Sequence, residues 1–165
     1  MSSDATTIRY LVLANRTLGG EALARHLYDT LTSEQASVHF VVPCTAPAGH
    51  LAWTDAEAEK EATGRLEIML EFANLIGAQS SGSLGDIDPA LACTEAIDSY
   101  GPFDSVIVTT QPTHLSRWLR LDVLHRIERN TDLPVTHISS SIAGTPEEAR
   151  QLIRAFLHTK GITNF

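Results

Sequence analysis

The 165-residue chain is 43% hydrophobic and 19% charged, which fits one globular domain large enough to bury its own core. Its 20 acidic against 12 basic residues give a formal charge of −8, a balance that disfavours a nucleic-acid partner held through the phosphate backbone. Two cysteines, Cys44 and Cys93, stand outside any paired motif, so neither a disulfide framework nor a metal cluster is expected.

In chain order, Ile8–Ala14 (IRYLVLA) is a nearly continuous apolar run of the kind that forms a strand buried on both faces. NRTLGG follows, and Glu21–Leu31 then takes helical spacing. Val38–Val42 (VHFVV) is a second buried strand, stopped by Pro43. After a loop of Pro, Ala and Gly, Thr54 and Glu57 have the spacing of a capping box. The long helix it opens carries Ala62, Leu66, Met69, Ala73 and Ile76 near one face, with Gly64 as a weak point and Gly77 at its end. Ala78–Leu84 (AQSSGSL) is a polar strand suited to a sheet edge. Asp88 caps the next helix, with Pro89 in its first turn, and Gly101-Pro102 ends it.

Ser105–Val108 (SVIV) is another buried strand, Ser116–Arg129 a helix and Val135–Ile138 a final strand. A serine link, Ser139 to Ser141, leads to Thr145-Pro146-Glu147-Glu148, a second capping box. Beyond it Ala149, Leu152, Ile153, Phe156 and Leu157 form the apolar stripe of an amphipathic helix. The alternation predicts an α/β fold: a doubly wound, five-stranded parallel sheet with helices on both faces, Rossmann-like, plus an extra C-terminal helix. Residues 1–138 form the expected α/β domain. Residues 139–165 form a linker and a helix packed on that domain or on a dimer partner. In such sheets ligands sit beyond the carboxyl ends of the strands, where strand order reverses.

Three blocks resemble the universal stress protein family. VLANRT stands where that family has a strand and an Asp-Gly-Ser-like turn, with Asn15, Arg16 and Thr17 in those places. GSLGDIDPALACTEAI is similar to its Gly-Asp-Pro segment, and LDVLHRIERNTDLPVTHI to its Gly-Ser-Val helix and last strand. The resemblance implies the fold just described, a homodimer paired through the last strand, and in some members ATP in the cleft. Members that bind ATP carry a Gly-x-x-Gly loop after the fourth strand and a Gly-Ser/Thr pair in the helix beyond.

Here TTQPTH has no glycine, and the Gly-Ser-Val positions fall on Leu121, Asp122 and Val123. A side chain then fills the place of bare amides, and a carboxylate faces a phosphate, a repulsion of about 1 kcal/mol at 4 Å in water and more at lower dielectric. ATP and AMP are therefore disfavoured and no cofactor is assigned; the first reading is a tight turn at Gly19-Gly20, a cap at Ser116 and solvent-facing arginines, and the second is another small anion, or a nucleotide held differently. Its candidate site comprises Asn15, Thr17, Gly19, Gly20, Thr109, Thr110, Ser116, Arg117 and Arg120. The glycines open the first helix, whose N-terminus favours anions, and arginine forks onto phosphate or carboxylate.

No G-x-S-x-G elbow and no G-x-x-x-x-G-K-[ST] loop occur. Asp86 and Asp88 read as a turn residue and a cap, His39 and His137 as packed or edge residues, and His114 as the one cleft histidine. A non-catalytic regulatory or binding module is expected, with a ligand-free dimeric interaction scaffold as the alternative and a nucleotide-binding enzyme using His114 or Asp122 as a lesser one. MSSDATT has neither a basic start nor an apolar run, and no stretch reaches about 18 apolar residues, so a cytoplasmic location without membrane contact is expected.

Overall fold

The computed structural model describes residues 6–45, 52–111 and 117–165, with residues 117–120 described by backbone alone. Five strands alternate with five helices: β1 (Ile8–Leu13), α1 (Glu21–Ser33), β2 (Ala36–Pro43), α2 (Asp55–Leu75), β3 (Gln79–Gly85), α3 (Pro89–Tyr100), β4 (Ser105–Thr110), α4 (Arg117–Asn130), β5 (Val135–Ser139) and α5 (Pro146–Thr159). All strand pairs are parallel, in the order β3-β2-β1-β4-β5. The order reverses between β1 and β4, which are neighbours in the sheet although β2 and β3 separate them in sequence.

The near-continuous apolar strands are sandwiched. Within β1, Val12 faces a core built with α1, α2 and α5, whereas Leu11 and Leu13 face a second core built with α3 and α4. That is the period-two alternation of a strand covered on both sides. Pro43 does not stop β2 early; it is its last residue, paired with Gly85. The polar β3 lies at one sheet edge, with Gln79, Ser80 and Ser81 exposed.

Helix α2 begins at the expected capping box, Thr54 and Glu57 each satisfying the other's backbone N–H. Its buried stripe is Ala58, Ala62, Arg65, Ile68, Met69, Phe72 and Ala73, while Leu66 and Ile76 are only partly buried. The apolar residues alone predict a stripe through Leu66; the buried stripe passes through Arg65 instead. At Gly64 an added Cβ would lie 3.3 Å from Pro146, so the glycine lets the start of α5 lie close against α2.

The cap of α5 differs from a full capping box. Thr145 accepts from the Glu148 N–H, but the Glu148 carboxylate accepts from the Gly144 N–H, at 2.6 Å, one residue further upstream. Ala149, Ile153, Phe156 and Leu157 then complete the α1–α2 core of the same chain.

Candidate functional site

The carboxyl ends of β1 and β4 bring together the residues around Asn15 and Thr109. The Thr17 and Thr109 hydroxyls hydrogen-bond to one another across the switch point, and Thr17 is buried. Thr109 Oγ1 also lies 3.5 Å from the Leu13 carbonyl. Asn15 turns the other way, its Nδ2 donating to the Pro43 carbonyl and to Thr45 Oγ1, each at 2.6 Å. Thr110 faces β5, where its hydroxyl meets His137 Nε2 at 2.6 Å. His137 is exposed on that edge strand. The expected set thus divides into a hydroxyl pair at the switch point, an amide facing the end of β2, and a hydroxyl committed to β5.

Gly19 and Gly20 lie against the chain itself. Gly19 has φ +94°, where L side chains are strained, and an added Cβ would sit 2.7 Å from the Ala149 Cα. At Gly20, the N-terminal flank of α1, the same addition would strike Ser140 Oγ and approach the Ser141 carbonyl to 2.6 Å. The tight-turn reading of these glycines fits, the Gly20 N–H donating to the Thr17 carbonyl at 3.0 Å, and the C-terminal segment lies over both. Ser116 and His114 lie outside the described residues, as do the side chains of Arg117 and Arg120, whose backbone forms the first turn of α4. Leu121 and Asp122 are both exposed on that helix.

The covering segment, residues 140–144, crosses the carboxyl edge of the sheet. The Ser140 N–H donates to the Thr110 carbonyl at the end of β4, and the Ala143 N–H to the Arg16 carbonyl beyond β1. The Gly144 carbonyl then accepts from Arg65 Nη2, at 3.1 Å, on α2. A strap therefore runs from the edge strand, past the switch point, to the second helix.

Sequence reasoning missed Arg65. It is fully buried, and burial pushes its guanidinium below the usual arginine range, with Glu61 opposing, Arg16 adding to the effect and Glu148 opposing. A sequence signal was available, because Arg65 follows Ala62 by three and precedes Met69 by four, on the helix's inward stripe. His39 is a second buried polar group. Its ring nitrogens meet Ser81 Oγ at 2.8 Å and Ser83 Oγ at 2.9 Å, and its ring stacks 4.4 Å from that of Tyr100. Among the described residues, no group of three His, Cys, Asp or Glu is placed to hold a metal ion.

A doubly wound parallel sheet whose order reverses between β1 and β4 defines the class: a Rossmann-like α/β fold. No protein-family model matches the sequence, and no curated protein matches it. Among solved structures, the universal stress protein from Archaeoglobus fulgidus in complex with dAMP matches with a TM-score of 0.52 and 14% identity, over 82% of this chain and 99% of that one. A universal stress protein in complex with cAMP shares 18% identity over 82% of this chain and all of its own, with a TM-score of 0.48. The fold is that of the universal stress proteins.

Proposed function

We propose that this chain is a universal-stress-protein-like regulatory module that binds a small anionic ligand, a nucleoside monophosphate being the first class to test, at the carboxyl ends of β1 and β4. The observation that carries this reading is the Thr17–Thr109 hydroxyl pair set across the strand-order reversal, with the Asn15 amide on the same loop turned toward the end of β2. Hydroxyl and amide groups at such a point suit ribose and phosphate oxygens. The dAMP bound by the Archaeoglobus protein supports trying that ligand class here.

A family-style grip on a triphosphate is not part of the reading. Residues 109–114, TTQPTH, lack the glycines whose bare amides would close on phosphates, and Asp122 adds a carboxylate to the helix beyond. The module is read as non-catalytic, cytoplasmic and homodimeric through β5. A scaffold acting through the apolar stripe of α5 is a weaker reading, because all of that stripe but the exposed Leu152 is spent on the chain's own core.

Calorimetric titration of AMP and ATP into the full chain tests the proposal. AMP is expected to bind, ATP no more tightly than AMP, and Thr109→Val to weaken both about tenfold, the loss of one hydrogen bond to a charged group. ATP binding far tighter than AMP would overturn the altered-grip reading; no heat from either nucleotide up to millimolar concentration would overturn the ligand class.

A further inference from the structure

Among the described residues Arg65 is the largest fully buried side chain, and only one of its donor groups is engaged there, by the Gly144 carbonyl. Its Nε and Nη1 have no hydrogen-bond partner, and among the described residues no carboxylate pairs with it. Glu61 and Glu148 act on it through space and favour its charge, but neither accepts from Nε or Nη1, and native proteins rarely leave buried donors of a cation without an acceptor. Such a group asks for an explanation, and a missing anion is one of the few available. Arg16 is its cationic neighbour, on the loop between Asn15 and Thr17. The same strap touches all three places: Ala143 on Arg16, Gly144 on Arg65, and Ser140, itself buried with an unpartnered hydroxyl, beside Gly20.

We propose that Arg65, with Arg16 beside it, is the anion-binding group of the cleft, and that the 140–144 strap covers it when no ligand is bound. The inference rests on the ligand reading above and specifies it: the ligand's phosphoryl group is taken from the α2 side, not by a glycine loop ahead of α4. A guanidinium presents a planar fork that matches two oxygens of a phosphate. For the phosphate to reach Nε and Nη1, the strap lifts and the Gly144 carbonyl is exchanged for phosphate oxygens. Displacing a single neutral acceptor from an under-satisfied cation is a small cost beside a charge-assisted pair.

Thermal melts of the full chain test this with inorganic phosphate and AMP as probes, on the wild type, Arg65→Met, Arg65→Lys and Thr109→Val. Arg65→Met replaces an unpaired buried charge by an apolar chain of similar length, so without ligand its Tm is expected to equal or exceed the wild-type value. At a probe concentration about a hundred times Kd, the wild type is expected to gain about 5–10 °C and Arg65→Met nothing. Arg65→Lys, which keeps the charge and loses the fork, is expected to bind about tenfold more weakly.

An equal gain in wild type and Arg65→Met would overturn the role of Arg65. If that gain falls by about half in Thr109→Val, as a tenfold weaker Kd requires, the cleft reading of the preceding section survives alone. No gain with either probe in the wild type would overturn both. Should Arg65→Met fail to fold, Arg65→Lys decides: unchanged affinity overturns the proposal, and the tenfold loss supports it.

Discussion

A methyl group on Gly20 would meet Ser140 Oγ and the Ser141 carbonyl, neither of which lies at the end of a long, yielding side chain. Gly20→Ala is therefore expected to destabilise the fold by about 1–3 kcal/mol, the range for forcing extra volume into a packed site, as read by urea denaturation. His39 carries a pH dependence of definite sign. Burial, and then the charge of Arg9, push its pKa below the ordinary 6.5, so the folded chain holds it neutral while the unfolded chain still takes up a proton near 6.5. The unfolded state binds more protons in that window, so stability rises with pH through it and falls as the medium is acidified below about 6.5. The groups facing the ring are the Ser81 and Ser83 hydroxyls and the Tyr100 and Phe103 rings, with Arg9 as the nearby charge. Replacing His39 with Gln is expected to flatten the difference between urea midpoints measured at about pH 5.5 and pH 7.5. An unchanged slope would place that acid sensitivity elsewhere.

Among the elements, α5 shows what can be read locally and what cannot. Its start, Thr145-Pro146-Glu147-Glu148, and its apolar stripe follow from chemistry within one or two helical turns, and both are visible in the sequence. Which surface receives the stripe is not local information. Phe156 packs edge-on to Tyr28 at 5.9 Å and lies 6.4 Å from Phe72, partners brought from α1 and α2 by the fold. The strap was hidden for the same reason, since three serines in a row read only as a link until Gly20 is placed against them. The placement of Asn15, Thr17 and Thr109 at the carboxyl ends of β1 and β4 is legible because strand ends and the strand-order reversal suffice to locate it. Arg65 was not, because a charge within an apolar stripe is counted against burial. Phe156→Ala is expected to cost about 3–5 kcal/mol as a core truncation, and the whole chain is expected to melt in one transition. A separate early transition confined to α5 would show the helix to be an appendage. A milder loss is expected at Asp88, which caps α3 and pairs with Arg126 at 2.5 Å. Asp88→Ala should cost about 1 kcal/mol, mostly through the cap, because the pair is more than a third exposed.

At the scale of the whole molecule, both sheet edges are strands that other chains could extend, and the two differ. β3 is long and polar, whereas β5 is short and carries Val135 and Ile138, half-buried, among exposed Thr136, His137 and Ser139. The Val106 N–H donates to the Pro134 carbonyl and the Ser140 N–H to the Thr110 carbonyl, so the even-numbered residues of this stretch direct their backbone groups toward β4. The odd-numbered residues, Val135 and His137, direct theirs to the outer rim, where a second copy would pair. A charge of −8 on each chain opposes that approach at low ionic strength. The Debye length shrinks from about 20 Å near 0.02 M to about 7 Å near 0.2 M, so screening relieves the repulsion while leaving backbone hydrogen bonds intact. Sedimentation equilibrium is therefore expected to show a dimer whose Kd tightens several-fold between those salt concentrations. His137→Pro removes a rim N–H without touching the ladder to β4, and is expected to yield a folded monomer. A wild-type chain that stays monomeric at about 100 μM in both salts would leave β5 unpaired in solution and confine any regulation to the cleft of a single chain.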